Sequence, residues 1–300
     1  MDLNTINSVA HPRSRAQLPV WTAGDAWLAG GTWLFSEPQV HLARLIDLTD
    51  MKWPALTIGD TKLSIAATCT IAQLEALACP PDWLAAPLIN QCCRAFLASF
   101  KIWKTATVGG NLCMSLPAGP MISLTSALDG VCTIWKADAT EQQISVADFV
   151  VGDQRNVLAP GDLLRQVDIP LAALRRRSAF RQISLTPVGR SAALLIGSVD
   201  GEGALSLTVT ASTVRPVKLS FPRIPGGGEL REAIHSGGQA SASSCATVQV
   251  AATLSPDAPM VSAGHFRSVR SISRLRWTCG SENSQVPPAS QASPAVQTGS

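Results

Sequence analysis

Two Gly-Gly pairs, each placed after an apolar run and before a hydroxyl or amide residue, constrain this chain more than any other feature. The first lies in Trp27-Leu28-Ala29-Gly30-Gly31-Thr32-Trp33-Leu34 and the second in Thr107-Val108-Gly109-Gly110-Asn111. Glycine has no Cβ, so its backbone reaches positive φ and can lie against a ligand. Successive N–H groups in such turns form a concave anion site, and Thr32, Thr107 and Asn111 add side-chain donors. Two such loops that converge in the fold could hold both phosphates of a pyrophosphate.

A Gly-Gly pair on its own is most often a plain turn, so neither segment assigns a ligand alone. The dinucleotide fingerprint G-x-G-x-x-G is absent, as is the strand–loop–helix context that it needs. A Rossmann site is therefore a poor interpretation of these glycines.

Composition excludes several other classes of function. The net charge is +3, only 15% of the residues are charged, and basic residues do not cluster with aromatic ones, so no nucleic-acid footprint is present. The eight cysteines contain no C-x-x-C pair, and the four histidines are scattered, so we predict neither a metal site nor a catalytic triad. No apolar run reaches about 18 residues, and the polar start lacks a signal core. We therefore expect a cytoplasmic protein.

The apolar pattern alternates short strands and helices. Strands are predicted at 26–29, 42–48, 63–67, 131–136, 163–169, 180–185, 192–199 and 205–211. Helices are predicted from a Thr70 cap to Ala78, over 84–100, and from Pro120 onward. The second glycine segment is predicted as a loop after the helix over 84–100. A helix-rich part should follow the last strand up to about Trp277. Residues 280–300 are too poor in apolar bulk to order themselves and should form a disordered tail.

The order of these segments resembles the FAD subunit of molybdenum hydroxylases, a family that includes the medium chain of carbon monoxide dehydrogenase and the flavin domain of xanthine dehydrogenase. The resemblance covers roughly residues 20 to 277. Its further segments are Leu45-Ile46-Asp47-Leu48, Asp162 to Pro170, Phe180-Arg181-Gln182, Gly189 to Ala192 and Gly264 to Arg267. Each piece is unspecific, whereas the ordered combination is specific.

The resemblance implies an α+β fold: an FAD-binding domain of the PCMH/VAO type, made of two α+β subdomains, followed by a smaller α/β domain of the carbon monoxide dehydrogenase flavoprotein C-terminal type. The first domain is expected over residues 1–176, with subdomains of about 1–55 and 56–176. The second is expected over 177–279.

The resemblance also implies an oxidoreductase role for which this chain needs no catalytic residue. Residues Trp27 to Leu34 and Thr107 to Asn111 would contact FAD, mainly at its pyrophosphate; Leu164 would pack near the flavin, and Arg181 would be a basic flavin contact. Partner subunits would carry the molybdenum–pterin cofactor and 2Fe-2S clusters. Electrons would leave through FAD to NAD, a quinone, a cytochrome or oxygen, in a heterotrimer that oxidises an N-heterocycle, a purine, an aldehyde or CO.

The chain departs from the family pattern at two positions. Trp33 stands where many members have Asp or His, and Pro120 stands where many have an acidic residue that holds the FAD ribose. Two alternatives therefore stay open. One is a self-contained FAD-dependent oxidase or reductase of the same fold, although no histidine follows the first glycine pair to tether the flavin. The other is a flavin-free structural paralogue, which the missing acidic residue favours.

Overall fold

The N-terminal strands form a three-stranded parallel sheet. The computed structural model describes residues 4–186 and 189–236. The sheet has the order β1-β3-β2, in which β1 is Ser8–Ala10, β2 is Asp25–Leu28 and β3 is Arg44–Asp47. Leu45 and Ile46 of β3 are buried, and the predicted strands at 26–29 and 42–48 are confirmed. The first glycine pair follows β2 directly, so it lies at the carboxyl end of a parallel sheet, where ligands often bind in mixed folds.

A five-stranded antiparallel sheet forms the middle of the molecule. Its order is β4-β5-β10-β6-β7. The strands are β4 (Leu56–Ile58), β5 (Lys62–Ala66), β6 (Val131–Trp135), β7 (Glu141–Ser145) and β10 (Leu163–Pro170). The predictions at 63–67, 131–136 and 163–169 are confirmed. A small hairpin of β8 (Val150–Gly152) and β9 (Arg155–Asn156) lies between β7 and β10 in sequence.

Helices cover this sheet and bury the largest apolar core. They are α1 (Ile71–Glu75), α2 (Ala86–Ala95), α3 (Phe100–Trp103), α4 (Val108–Met114), α5 (Pro120–Ala127), α6 (Val146–Phe149) and α7 (Leu171–Leu174). Thr70 caps α1 as predicted, in a reciprocal capping box with Gln73. Pro120 opens α5, also as predicted. Every residue of α5 is buried, because the helix lies between α2, α4 and the sheet that follows.

The predicted continuous helix over 84–100 is wrong at both ends. Helix α2 ends at Ala95, Leu97 adopts a positive φ of 51°, and α3 begins only at Phe100. Leu84 and Phe100, the two ends of the predicted apolar stripe, are 54% and 68% exposed. A residue with positive φ cannot continue a right-handed helix, so the chain turns at Leu97.

A four-stranded antiparallel sheet with the order β11-β12-β13-β14 completes the described fold. Its strands are β11 (Arg177–Ser184), β12 (Ser191–Val199), β13 (Leu205–Thr210) and β14 (Val217–Phe221), and α8 (Gly227–Ser236) follows them. The three predicted strands are confirmed, whereas β14 lies in the part that was expected to be rich in helices. Residues 237–279 and the predicted tail at 280–300 lie outside the described residues. The mixture of helices and antiparallel sheets agrees with the expected α+β class.

Helix α5 and the loop before it are bonded to this last sheet. The hydroxyls of Ser123 and Thr210 lie 2.7 Å apart, and the Ala211 N–H donates to the Pro117 carbonyl at 2.8 Å. Leu194 and Ile196 of β12 extend the core of the helices and the five-stranded sheet. Lys218 of β14 forms an ion pair with Asp129 at the end of α5. The segment between α4 and α5 is therefore supported from behind by the sheet. In the described part of the chain, no helix is long and apolar enough to cross a membrane.

The central strand β10 carries a buried carboxylate. Asp168 accepts hydrogen bonds from Lys62 at 2.7 Å, Ser64 at 2.6 Å and Gln166 at 2.8 Å. Burial alone would raise the pKa of Asp168, but these donors stabilise the charged form more, so its pKa lies below the usual range. The stability that Asp168 contributes is thus present above the unfolded pKa of about 3.9 and is lost as the pH falls through the lower folded-state pKa.

We expect Asp168→Asn to lower the free energy of unfolding at neutral pH by about 1–3 kcal/mol, because Lys62 loses its acceptor while the site stays buried. The variant should also lose stability less steeply than the native protein as the pH falls below about 4. Urea unfolding at several pH values measures both effects. Asp153→Asn, at an exposed turn residue, is the matched control. Equal acid sensitivity of Asp168→Asn and the native protein would contradict this account.

Candidate functional site

The two glycine segments border one cavity of about 410 Å³. Trp27 and the loop Ala29–Leu34 form one side, and Ala106, Thr107 and the exposed side of α4 form the other. The wall is completed by Phe96, Ile102, Cys113, Met114 and Leu116. The expected convergence of the two segments is therefore present in the fold.

Backbone contact at Gly30 sets the distance between the two sides. An ideal Cβ at Gly30 would lie 1.8 Å from the Thr105 carbonyl oxygen, so only a residue without a side chain fits there. Gly31 has a φ of +70° and is the residue of this loop that needs the left-handed region. The first pair thus combines a close approach to the Thr105 backbone at Gly30 with a left-handed backbone conformation at Gly31.

This loop presents a row of unpaired donors. No acceptor within the described residues meets the N–H groups of Gly30, Gly31, Thr32, Trp33 or Leu34. The loop is nevertheless ordered by bonds at its end, where the Phe35 N–H donates to the Gly31 carbonyl at 2.8 Å. Five consecutive N–H groups beside a cavity and without a protein acceptor are available to bind an anion. Such groups are almost always paired when they are not solvated, so a ligand oxygen would satisfy them.

The second segment is not the predicted loop but the first turn of α4. Thr107 is its N-cap and accepts the Gly110 N–H at 3.0 Å. The carbonyls of Cys69 and Ala67 accept the N–H groups of Val108 and Gly109, and the Thr107 carbonyl accepts that of Asn111. The N–H groups of Val108, Gly109 and Gly110, three of the four that a helix start leaves without an intrahelical partner, are therefore used inside the protein, and that of Asn111 makes the first regular bond of the helix. The second segment therefore lines the cavity as the start of a helix, and its contact with a pyrophosphate stays a prediction.

Packing explains why these glycines are helical. An ideal Cβ at Gly109 would lie 2.5 Å from the Ala67 Cβ, so this position lets α4 lie directly on the end of β5. The Asn111 side-chain oxygen is occupied as well, since Oδ1 accepts the Met121 N–H at 3.0 Å near the start of α5. Pro120 is buried beside it, and neither Asp nor Glu lines the cavity. Among the described residues that line this cavity, no carboxylate stands in place of the ribose contact that Pro120 lacks.

Trp27 lies at one end of the cavity and is fixed from behind. Its Nε1 donates to the Asp162 carbonyl at 2.9 Å, and its ring lies 5.0 Å from that of Trp21. The Asp162 carboxylate pairs with Lys136 and accepts the N–H groups of Ala137 and Ala159. Burial would raise the pKa of Asp162, but these donors outweigh it and hold the pKa below the usual range. The Asp162 carboxylate therefore fixes the loop whose carbonyl holds Trp27 at the cavity wall.

Sequence reasoning missed the apolar side chains of the cavity wall. They come from Phe96, Ile102, Cys113, Met114 and Leu116. The sequence predicts Phe96 within one helix over 84–100 and makes no prediction for Ile102; the chain turns at Leu97, between these two residues of the wall. Burial raises the pKa of the Cys113 thiol to about 12, so it is protonated near neutral pH and is not a nucleophile. Among the residues that the structure describes, no group of His, Cys, Asp and Glu could hold a metal ion.

Five of the predicted site residues lie away from the cavity wall. Leu28 packs beneath the loop, and Val108 and Gly109 are buried within the protein. Leu164 is buried in the core on β10. Arg181 lies on β11 and donates to the Phe180 carbonyl at 3.2 Å. Contacts of Leu164 and Arg181 with a ligand stay predictions.

Charge around the cavity favours an anion. The cavity wall itself contains no charged side chain. Residues 83–128, which form much of the wall, include Arg94, Lys101 and Lys104 but no Asp or Glu. All three cations are exposed, so they contribute a positive field without occupying the site.

We expect Gly30→Ala to destabilise the fold by about 1–3 kcal/mol, the usual cost of overpacking. The reason is that its Cβ would overlap the backbone at Thr105. Gly201→Ala is the matched control, because nothing lies within 4 Å of the corresponding Cβ. Urea unfolding of both variants measures the difference. If the two variants were equally stable, the backbone contact would not exist as described.

Solved structures with the same fold support the arrangement. Quinoline 2-oxidoreductase from Pseudomonas putida 86 matches with a TM-score of 0.63 and 18% identity, over 81% of this chain and 92% of that one. Reconstituted CO dehydrogenase from Oligotropha carboxidovorans matches with a TM-score of 0.64 and 20% identity, over 84% and 86% of the two chains. CO dehydrogenase from Hydrogenophaga pseudoflava, in a form lacking the Mo-pyranopterin moiety, matches with a TM-score of 0.64 and 15% identity, over 82% and 86%.

No curated protein matches the chain significantly by sequence. A family model described as the FAD binding domain in molybdopterin dehydrogenase matches residues 17–172. The match includes both glycine segments, the cavity that they border and, apart from β1, every strand of the two sheets that hold them. Because it spans 156 of the 300 residues, the chain belongs to the family of FAD-binding domains in molybdopterin dehydrogenases.

Proposed function

We propose that this chain is the FAD-carrying electron-transfer subunit of a multi-subunit molybdenum hydroxylase. The observation that carries the proposal is the row of five unpaired N–H groups from Gly30 to Leu34, at a cavity inside a domain of an FAD-binding family. The central group of FAD is a diphosphate, whose oxygens accept hydrogen bonds only. A row of donors with no competing protein acceptor suits that group.

The wall residues fit FAD in charge and in polarity. Apolar side chains line the cavity together with the donor row, and the segment 83–128, which supplies part of that lining, contains cations but no Asp or Glu. We assign the diphosphate to the loop Ala29–Leu34, and we assign Thr107, Gly110 and Asn111 to the wall that faces it. Leu164 and Arg181 remain candidates for the part of FAD that extends beyond this cavity.

The chain binds and orients the cofactor without a catalytic side chain of its own. When bound, the isoalloxazine supplies the redox chemistry, between iron–sulphur clusters of a partner and an external acceptor. The residues described here contribute backbone donors, apolar walls and the exclusion of water. The Cys113 thiol on the cavity wall is protonated near neutral pH, because burial raises its pKa to about 12. Such a site suits an electron-transfer subunit better than an enzyme that transforms its own substrate.

Partner subunits would supply the molybdenum–pterin cofactor and 2Fe-2S clusters. The structural relatives named as quinoline 2-oxidoreductase and CO dehydrogenase support this role. The substrate of the complex is proposed to be an N-heterocycle, a purine, an aldehyde or CO, and the acceptor NAD, a quinone, a cytochrome or oxygen. The first domain would span residues 1–176 and the second 177–279. The six described cysteines are free thiols, which supports a reducing compartment such as the cytoplasm.

We expect the purified chain to bind FAD and Gly31→Ala to lose most of this binding. The substitution forces a side chain into the left-handed region and toward the Phe35 ring, so the row of donors is displaced. Gly203→Ala is the matched control, because Gly203 also has a positive φ, of +90°, but lies in open space. Titration followed by flavin fluorescence measures both affinities.

The outcomes of this titration discriminate between an FAD site at this loop and the alternative interpretations. Loss of FAD from Gly31→Ala with retention by Gly203→Ala supports the assigned loop. Equal FAD affinity of the two variants would show that the loop is not part of the FAD site. A native chain that takes up no FAD at all would favour the flavin-free paralogue.

Purification of the chain from its native cell under mild conditions tests the partner assignment. We expect one polypeptide with iron–sulphur absorption and one containing molybdenum to accompany it. Turnover of a hydroxylase substrate by the chain alone, with flavin that stays attached after denaturation, would instead identify a self-contained oxidase.

A further inference from the structure

Trp33 is the large aromatic side chain within the donor row itself. It lines the cavity, and 37% of its surface is exposed. The resemblance anticipates Asp or His at this position in many relatives, so an indole here changes the character of the wall. The main-chain N–H of Trp33 is one of the five unpaired donors. The ring is therefore attached directly to the loop that we assign to the diphosphate.

The other tryptophan at the cavity already has partners. Trp27 donates its Nε1 to Asp162 and packs against Trp21. Among the described residues, the Trp33 indole makes no ring–ring or cation–ring contact. An indole with an accessible surface at a cavity can pack against a planar group of a ligand.

The remaining wall also suits a flat neutral ring. Phe96, Ile102, Met114 and Leu116 are apolar, and no charged group lines the cavity. Ile102 lines the cavity and is 39% exposed, so its side chain is accessible to a ligand ring. The cavity thus combines donors for an anion with apolar side chains, which suits a ligand that contains both a phosphate and a planar ring.

We propose that Trp33 is the stacking wall for a planar aromatic ring of the bound dinucleotide, either its adenine or its isoalloxazine. The inference deepens the proposed function and rests on it. Adenine and isoalloxazine share the chemistry that the site recognises: each is a neutral heteroaromatic ring in the same molecule as the diphosphate. Stacking of a base on an aromatic side chain is worth about 1–3 kcal/mol, or about 5- to 150-fold in affinity.

The test compares FAD affinity in Trp33→Ala, Trp33→Phe and the native chain by flavin fluorescence titration. Trp33→Ala should weaken FAD binding by about 5- to 150-fold, and Trp33→Phe should recover most of the loss because a phenyl ring keeps a stacking face. Ile58→Ala, at an exposed apolar residue of β4 away from the cavity lining, is the control and should bind as the native chain does. Melting temperatures of all variants should agree within a few degrees, since Trp33 is partly exposed.

Titrations with ADP and with FMN identify the ring. A loss in Trp33→Ala that appears with ADP places adenine on the indole, whereas a loss with FMN places isoalloxazine there. A loss with FAD that appears with neither fragment would overturn the proposal, because no ring would then account for it. Unchanged FAD affinity in Trp33→Ala would overturn it too, as would a Trp33→Phe variant as weak as Trp33→Ala. A native chain that fails to bind FAD would instead overturn the proposed function on which the inference rests.

Discussion

The backbone contact between Gly30 and the Thr105 carbonyl is the constraint on which the site depends. It joins a loop after the parallel sheet to the residues that precede α4, and it fixes how close these two parts of the chain come. A side chain at this point would separate them and widen the cavity. The donor row from Gly30 to Leu34 faces the wall made by Thr107, Gly110 and Asn111 only because this approach is so close.

Support for this contact comes from both remaining sheets. Trp27 is held by the Asp162 loop at one end of the five-stranded sheet. The loop between α4 and α5 is held by Pro117 and Ala211, and α5 by Ser123 and Thr210, against the four-stranded sheet. The cavity is thus an arrangement of backbone segments, each fixed by a different layer of the fold. Two of these segments are the glycine pairs, which is why they mark the site in the sequence.

Local patterns predicted much of the fold and part of the site. Strands β2, β3, β5 and β10 follow from apolar runs bounded by turn residues, and the cap at Thr70 follows from its hydroxyl. The segment over Thr107–Asn111 was predicted as a loop because two glycines disfavour a helix. Tertiary packing overrides that preference, since Gly109 lies against Ala67 and distant carbonyls accept the first N–H groups. No pattern within the segment itself contains that information.

The apolar half of the site could not be predicted for a related reason. Phe96 and Ile102 reach the cavity because the chain reverses at Leu97, a leucine in a conformation that its own type disfavours. Similarly, β14 carries only a short pattern of half-buried residues, so its strand character depends on pairing with β13. The Asn111 carboxamide was expected at a ligand, but its oxygen is used by the Met121 N–H ten residues later in the chain.

The donor row has one further consequence, which concerns how such a site can change over time. Main-chain N–H groups belong to every residue type except proline. Thr32, Trp33 and Leu34 can therefore exchange their side chains without removing a single donor, provided that Gly30 and Gly31 keep the path of the loop. The path of the main chain provides the donors that bind an anion. The side chains of the loop can therefore change to fit the rest of the ligand without loss of anion binding.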